Sequence, residues 1–160
     1  PSGNFYDPND PNSDPEYAVR RYLNKISGPL LDRIDLHIEV NPVPFEKLSN
    51  SEKTESSDDI RKRVVKARQI QEARFDGVKS VFNNAQITPK LQETYCKLDE
   101  SGEALLKKAM DRLGFSARSY TRILKVARTI ADLEQSENIQ PPHVAESIQY
   151  RSLDREGWLA

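Results

Sequence analysis

The sequence predicts a mainly α protein: an all-helical bundle preceded by a short helix and a single strand. Three observations carry this expectation. From about residue 57 onward, apolar residues recur at helical spacing through five successive segments. Cap residues stand at the heads of those segments, with a proline in the first turn of two of them. Strict alternation of apolar and polar residues occurs once, over Asp35–Val40.

Residues 1–16 hold four prolines among many Asn, Asp and Ser residues and read as loop. Tyr17 to Ile26 can form a short helix with Tyr22, Leu23 and Ile26 on one side. Gly28-Pro29 begins a helical turn that presents Leu30 and Leu31 to a core, and Arg33 follows at a break into the strand. In the strand, Leu36, Ile38 and Val40 alternate with His37 and Glu39, until Pro42 and Pro44 end the ladder. A lone strand is not stable, so this one needs a sheet from elsewhere or a second copy. Phe45 to Ser57 turns to Glu, Lys, Ser and Asn and reads as a linker.

Ser56-Ser57-Asp58-Asp59 caps a long helix to about Phe75, with Ile60, Val64, Ala67 and Phe75 on its apolar face. Thr88-Pro89 starts a helix bearing Leu91, Tyr95 and Leu98. Asp99 opens another, with Leu105, Leu106, Ala109, Met110 and Leu113, closed by Gly114. Ser116 caps a fourth, whose inward residues are Tyr120, Ile123, Leu124, Ala127, Ile130 and Ala131. Pro141-Pro142 begins the last, with Val144, Ala145 and Ile148. Short loops between five such helices describe a compact bundle.

Composition narrows the function classes. The chain has 160 residues, 36% hydrophobic and 31% charged, with a net charge of −1, which argues against bulk capture of nucleic acid or anionic membrane. A single cysteine, Cys96, leaves no internal disulfide and fits a reducing, cytoplasmic setting. There is no membrane-length apolar run and no secretory leader pattern. An opening at Pro1 in place of Met reads as a piece of a longer protein.

Two arginines stand out. Arg33 lies between Asp32 and Asp35. A guanidinium keeps its charge and presents a planar fork of donors suited to phosphate. At a subunit edge, such a group stabilises the charge of phosphoryl transfer in a neighbour's site. The alternative is a structural ion pair with Asp32 or Asp35. Arg118 falls in the first turn of its helix, where a cation opposes the helix dipole and free N–H groups already favour an anion. It either meets an anionic ligand or pairs with a nearby acid. Arg122, Lys125 and Arg128 follow along the polar side of that helix, as a solvated face or as DNA or phosphate contacts.

Ile26-Ser27-Gly28-Pro29-Leu30-Leu31-Asp32-Arg33-Ile34-Asp35-Leu36, Gly114-Phe115-Ser116-Ala117-Arg118-Ser119, Ala127-Arg128-Thr129-Ile130-Ala131-Asp132-Leu133 and the ending His143–Arg151 together resemble the C-terminal part of the magnesium-chelatase-related AAA+ ATPases, in the competence-type (ComM/YifB-like) branch. The resemblance implies a C-terminal end of an α/β nucleotide-binding core over residues 1–48, a linker over 49–56 and a helical lid over 57–155. It implies that Arg33 is a finger acting in trans and Arg118 a sensor-2 arginine reaching the ATP of its own subunit. It further implies ATP with Mg2+ as the nucleotide, a missing N-terminal core, identical subunits in a ring (commonly a hexamer), a hinge through 41–57, and DNA as a candidate remodelled substrate. No Gly-x-x-x-x-Gly-Lys-Ser/Thr loop occurs, so these residues alone are expected to hold no nucleotide tightly and to hydrolyse none. The cysteines that some relatives carry before the Tyr17 helix are absent.

Other constellations are weaker. His37 and His143 stand far apart without ligand-spaced partners and read as structural or surface histidines. Asp7, Asp10 and Asp14 lack the glycine and glutamate of a calcium loop, and no metal site is expected. Cys96 reads as a packing residue. The competing functions are a free-standing helical DNA-binding module using Arg122, Lys125 and Arg128, and a protein-interaction bundle.

Overall fold

The computed structural model describes residues 54–151 throughout and, before them, residues 27–38 and positions 14, 15, 17, 18, 21, 25 and 40. The loop expected over 1–16, most of the helix expected over Tyr17–Ile26 and most of the linker lie outside the described residues. Among those described are six α-helices: α1 (Gly28–Leu31), α2 (Ser57–Arg74), α3 (Pro89–Tyr95), α4 (Glu100–Leu113), α5 (Ala117–Leu133) and α6 (Pro141–Gln149). A 3-10 turn, Asn84–Gln86, lies between α2 and α3. The mainly helical expectation holds.

The boundaries follow capping chemistry. Ser56, Thr88, Asp99 and Ser116 each accept a hydrogen bond from a first-turn N–H of the helix they precede. Gly114 closes α4 at φ 65°, a left-handed conformation that favours glycine. At α6, Gln140 and His143 form a reciprocal capping box in which His143 Nδ1 accepts from the Gln140 N–H at 3.0 Å. His143 Nε2 lies 2.9 Å from Glu134, so this histidine is buried and structural.

Helix α5 is the axis of the bundle, packed by α6, α2 and α3. Its Ile123, Leu124, Ala127 and Ala131 join Phe75, Val81, Ile87, Cys96, Leu106, Phe115, Ile139 and Val144 in one buried core. Phe75 and Tyr95 meet edge to face at 5.6 Å. Burial pushes the Cys96 thiol up to about 11, consistent with a packing role.

Four expectations need correction. Tyr120 is 39% exposed and is not part of the core. Leu31 is buried as expected, but Leu30 is exposed. In α2 only Ala67 and Gln71 are buried; Ile60 and Val64 continue the same face beyond the bundle, where nothing in the described residues covers them. No strand forms among the described residues of 35–40, and the alternation is inverted: His37 is buried while Leu36, Ile38 and Val40 are exposed. The reason is local. The His37 N–H donates to the Tyr150 carbonyl at 2.8 Å, and its Nε2 lies 3.2 Å from the Leu31 carbonyl, so the histidine faces the bundle.

A buried polar network ties α2 to α5. Asp132 is fully buried and receives guanidinium groups from Arg74 and Arg128, with the Asn84 amide donating to Oδ2 at 2.7 Å. Asn84 also accepts from Arg74 at 3.0 Å, and its own N–H donates to Gln71 at 3.2 Å. Among the described residues no helix is long and apolar enough to cross a membrane. Asp132→Ala leaves one buried and one largely buried cation without their carboxylate and is expected to cost about 3–5 kcal/mol. Urea unfolding measures it; a loss of less than about 1 kcal/mol would show that the network contributes little.

Candidate functional site

Arg33 stands on the turn that follows α1. The turn is closed by the Arg33 N–H donating to the Leu30 carbonyl at 3.0 Å and the Ile34 N–H donating to the Leu31 carbonyl at 2.9 Å. Buried Leu31 anchors it. The Arg33 side chain is exposed and makes no hydrogen bond or ion pair with a described residue. Neither flanking acid is its partner, so the structural ion pair considered from sequence does not form.

Both acids are bound by α5 instead. The Asp32 carboxylate sits at the α5 N-terminus, accepting from Ser116 Oγ at 2.8 Å, Ser119 Oγ at 2.9 Å and Arg118 Nη1 at 2.9 Å. Arg151 Nη2 lies 3.7 Å from the same carboxylate. The proton arrangement is consistent: each serine donates to Asp32 while its oxygen accepts, Ser116 from the Ser119 N–H at 3.1 Å and Ser119 from Arg151 Nη2 at 3.2 Å. Free donors and the helix dipole favour an anion at this position. Burial raises the Asp32 pKa, but hydrogen bonds from Ser116, Ser119 and Arg118 and the Arg118 charge outweigh it, and the net shift is downward.

One helical turn further along, Arg122 pairs with Asp35. Arg151, buried at the end of the described chain, donates to the Ile34 carbonyl. The turn is therefore held on both sides of Arg33. A groove of about 550 Å³ runs beside it, lined by Asp35, Leu36, Arg118, Arg122, Lys125 and Tyr150 among others.

Arg118 pairs with an acid, as one of the two expectations had it, and its side chain is still 51% exposed. Lys125 donates to the Ala85 carbonyl at 3.0 Å. Arg128 is not on the polar face: it is 3% exposed and donates to the Glu137 and Ser136 carbonyls at 2.8 and 2.6 Å as well as to Asp132. It therefore cannot contact DNA or phosphate from this position. Sequence reasoning missed Ser116 and Ser119 as ligands of Asp32, and missed Arg151 altogether. The serines carry a signal, since two hydroxyls and an arginine share one first turn, but Arg151 has no local pattern.

The direction of the Asp32 shift sets a pH dependence. Its folded-state pKa lies below the ordinary 3.8, so its contribution to stability is present above that value and is lost as pH falls through the folded pKa. Urea midpoints of the wild type and Asp32→Asn are expected to differ at pH 6 and to converge as pH is lowered below the ordinary carboxylate range. A gap that stays constant into acid would contradict this.

Residues 54–151 match the family model of the magnesium chelatase subunit ChlI C-terminal region, and residues 1–48 match that of magnesium chelatase subunit ChlI. The chain is 44% identical to competence protein ComM of Haemophilus influenzae over 138 residues, 86% of this chain and 26% of that protein. It is 39% identical to the uncharacterized protein YifB of Escherichia coli over 142 residues, 88% of this chain and 27% of that protein. A Mycobacterium tuberculosis protein, Rv2897c, is 32% identical over 134 residues, 82% of this chain and 26% of its own. The chain thus spans about a quarter of the length of these relatives. It belongs to the magnesium chelatase ChlI family, in the ComM/YifB-like branch.

Proposed function

We propose that the chain is the C-terminal part of a magnesium-chelatase-like AAA+ ATPase that works as a ring in the cytoplasm, with Arg33 acting on the ATP of the adjacent subunit. One observation carries this reading. Both acids beside Arg33 are bound to α5, through Arg118 and Arg122, and the Arg33 guanidinium is left exposed without an ionic partner among the described residues. A group that stabilises transferred charge needs that freedom.

Arg118 bonds to the residue immediately before Arg33, so the two arginines belong to one connected region of the molecule. On this reading Arg118 is the sensor-2 arginine of its own subunit's ATP and Arg33 the finger toward the neighbour's, with Asp32 joining the two. Contacts from α5, Tyr150 and Arg151 to the turn also support the turn and the bundle moving as one body when the nucleotide changes. These residues suit the phosphate oxygens of ATP and not its Mg2+. Guanidinium groups are donors only, and no group of three His, Cys, Asp or Glu suited to a metal occurs among the described residues. The phosphate loop would come from outside the present 160 residues.

In the full-length protein, Arg33→Ala is expected to leave ATP binding nearly unchanged and to lower turnover by about 10³-fold or more. Mixing that variant with subunits impaired in the phosphate loop should restore part of the activity, since each supplies what the other lacks. Normal turnover of Arg33→Ala would refute the role.

A second reading, nucleic-acid binding by this chain, is favoured by the exposed half of α2. Arg61, Lys62, Arg63, Lys66 and Arg68 fall within residues 61–68, with no acid among them, and all are exposed. Lys62 and Arg63 are paired with Asp59 and Glu55. Fluorescence anisotropy with single- and double-stranded DNA at low salt is expected to show weak binding that declines steeply as salt rises. Its absence at about 50 mM salt would remove this reading.

A further inference from the structure

We infer that Asp32 is a positioning residue for Arg33, and that through its bond to Arg118 it sets the two arginines together. The inference rests on the proposed role of Arg33 and extends it to a residue that carries the opposite charge and would not meet the nucleotide. Three observations support it.

First, the exposed Arg33 side chain makes no hydrogen bond or ion pair among the described residues, so no polar contact of its own fixes it and its position comes chiefly from the backbone that carries it. A catalytic group must be held within about 0.5 Å of its working geometry, and an exposed turn supplies that only through supporting contacts. Second, the supporting contacts converge on Asp32. Two serines and Arg118 donate to its carboxylate, while Arg151 approaches it and also holds the Ile34 carbonyl. The residues on each side of Arg33 are thereby fixed to the start of α5 and to Arg151. Third, the site requires a carboxylate in particular. Both serines donate to Oδ1 and Arg118 donates to Oδ2, so each oxygen must accept. An asparagine of the same shape turns its NH2 either toward the guanidinium, setting donor against donor, or toward the serines, which lose their shared acceptor and must rotate to accept; in both cases the negative charge is gone. The cost would fall on both arginines at once, because Arg118 loses its anionic partner as the Arg33 turn loosens.

The alternative is that Asp32 only stabilises the fold. Steady-state ATP hydrolysis by the full-length protein separates the two. A positioning role acts in the transition state, so Asp32→Asn is expected to lower kcat by about tenfold or more and to leave the KM for ATP unchanged. On an Arg33→Ala background the same substitution should lower turnover by much less, because the part of its effect that passes through Arg33 is already gone and only the part through Arg118 remains. Ser119→Ala removes one donor from Asp32 and should produce a smaller kcat loss with the same dependence on Arg33. It gives the answer even if the Asn variant does not fold.

Wild-type kcat in Asp32→Asn or Ser119→Ala, alongside a collapsed Arg33→Ala, would overturn the inference and leave the finger reading intact. An equal further loss on the Arg33→Ala background would also overturn it, since the effect would then be general. Normal turnover of Arg33→Ala would instead remove the reading on which the inference stands.

Discussion

The whole arrangement depends on where one helix is held. Asp132, near the C-terminal end of α5, has no exposed surface and is shared by two guanidinium groups, from Arg74 on α2 and Arg128 one turn back on α5 itself. A buried carboxylate is tolerable only when its lone pairs are occupied, and here Asn84 supplies a further donor. The same cluster holds the loop after α5, because Arg128 also donates to the Ser136 and Glu137 carbonyls. A cluster satisfied on every side permits only a narrow range of helix positions, since any shift leaves a buried charge unpaired. The far end of α5 is where Ser116, Arg118 and Ser119 meet Asp32. Rigidity set at one end of a 17-residue helix is thus available at the other.

Much of this was legible in the sequence. The five helices from residue 57 were readable because their boundaries are chemically local: Thr88-Pro89, Asp99, Gly114 and Ser116 each solve a problem of unsatisfied backbone groups within one turn. Arg33 and Arg118 were legible as unusual residues for similar local reasons. Their relation was not. Asp32 and Arg118 are 86 residues apart, and no spacing rule connects the turn after α1 to the start of α5. The same limit explains Arg128. Helical periodicity placed it beside Arg122 and Lys125 on the polar side, but its surroundings are built by Asp132 and by a loop that folds back over it.

The inverted strand shows where a local rule gives the wrong answer. Alternation predicted that Leu36, Ile38 and Val40 would face a core, as period-two patterns do when one face of a sheet is covered. Among the described residues there is no sheet to cover it, and the segment is held by main-chain contact between His37 and Tyr150. Hydrogen bonding took precedence over the apolar pattern, and the exposed stripe remains available to elements outside the described residues. Ile60 and Val64 on α2 continue a buried face into solvent in the same way.

The electrostatics around Arg33 then have a simple logic. An arginine between two aspartates would ordinarily satisfy itself, and a self-satisfied guanidinium has little to offer a phosphate. Pairing Asp32 with Arg118 and Asp35 with Arg122 removes both local competitors without removing their charge from the chain. Each acid is given to a cation on a helix whose own position is set by Asp132. The turn therefore gains attachment and Arg33 gains freedom from the same two contacts. A lysine at position 118 would keep the charge but not the planar fork, so one contact to Asp32 would compete with any contact to phosphate. An arginine can hold the carboxylate through one nitrogen and keep its remaining donors for another ligand; Arg118 holds Asp32 through Nη1 with its side chain half exposed.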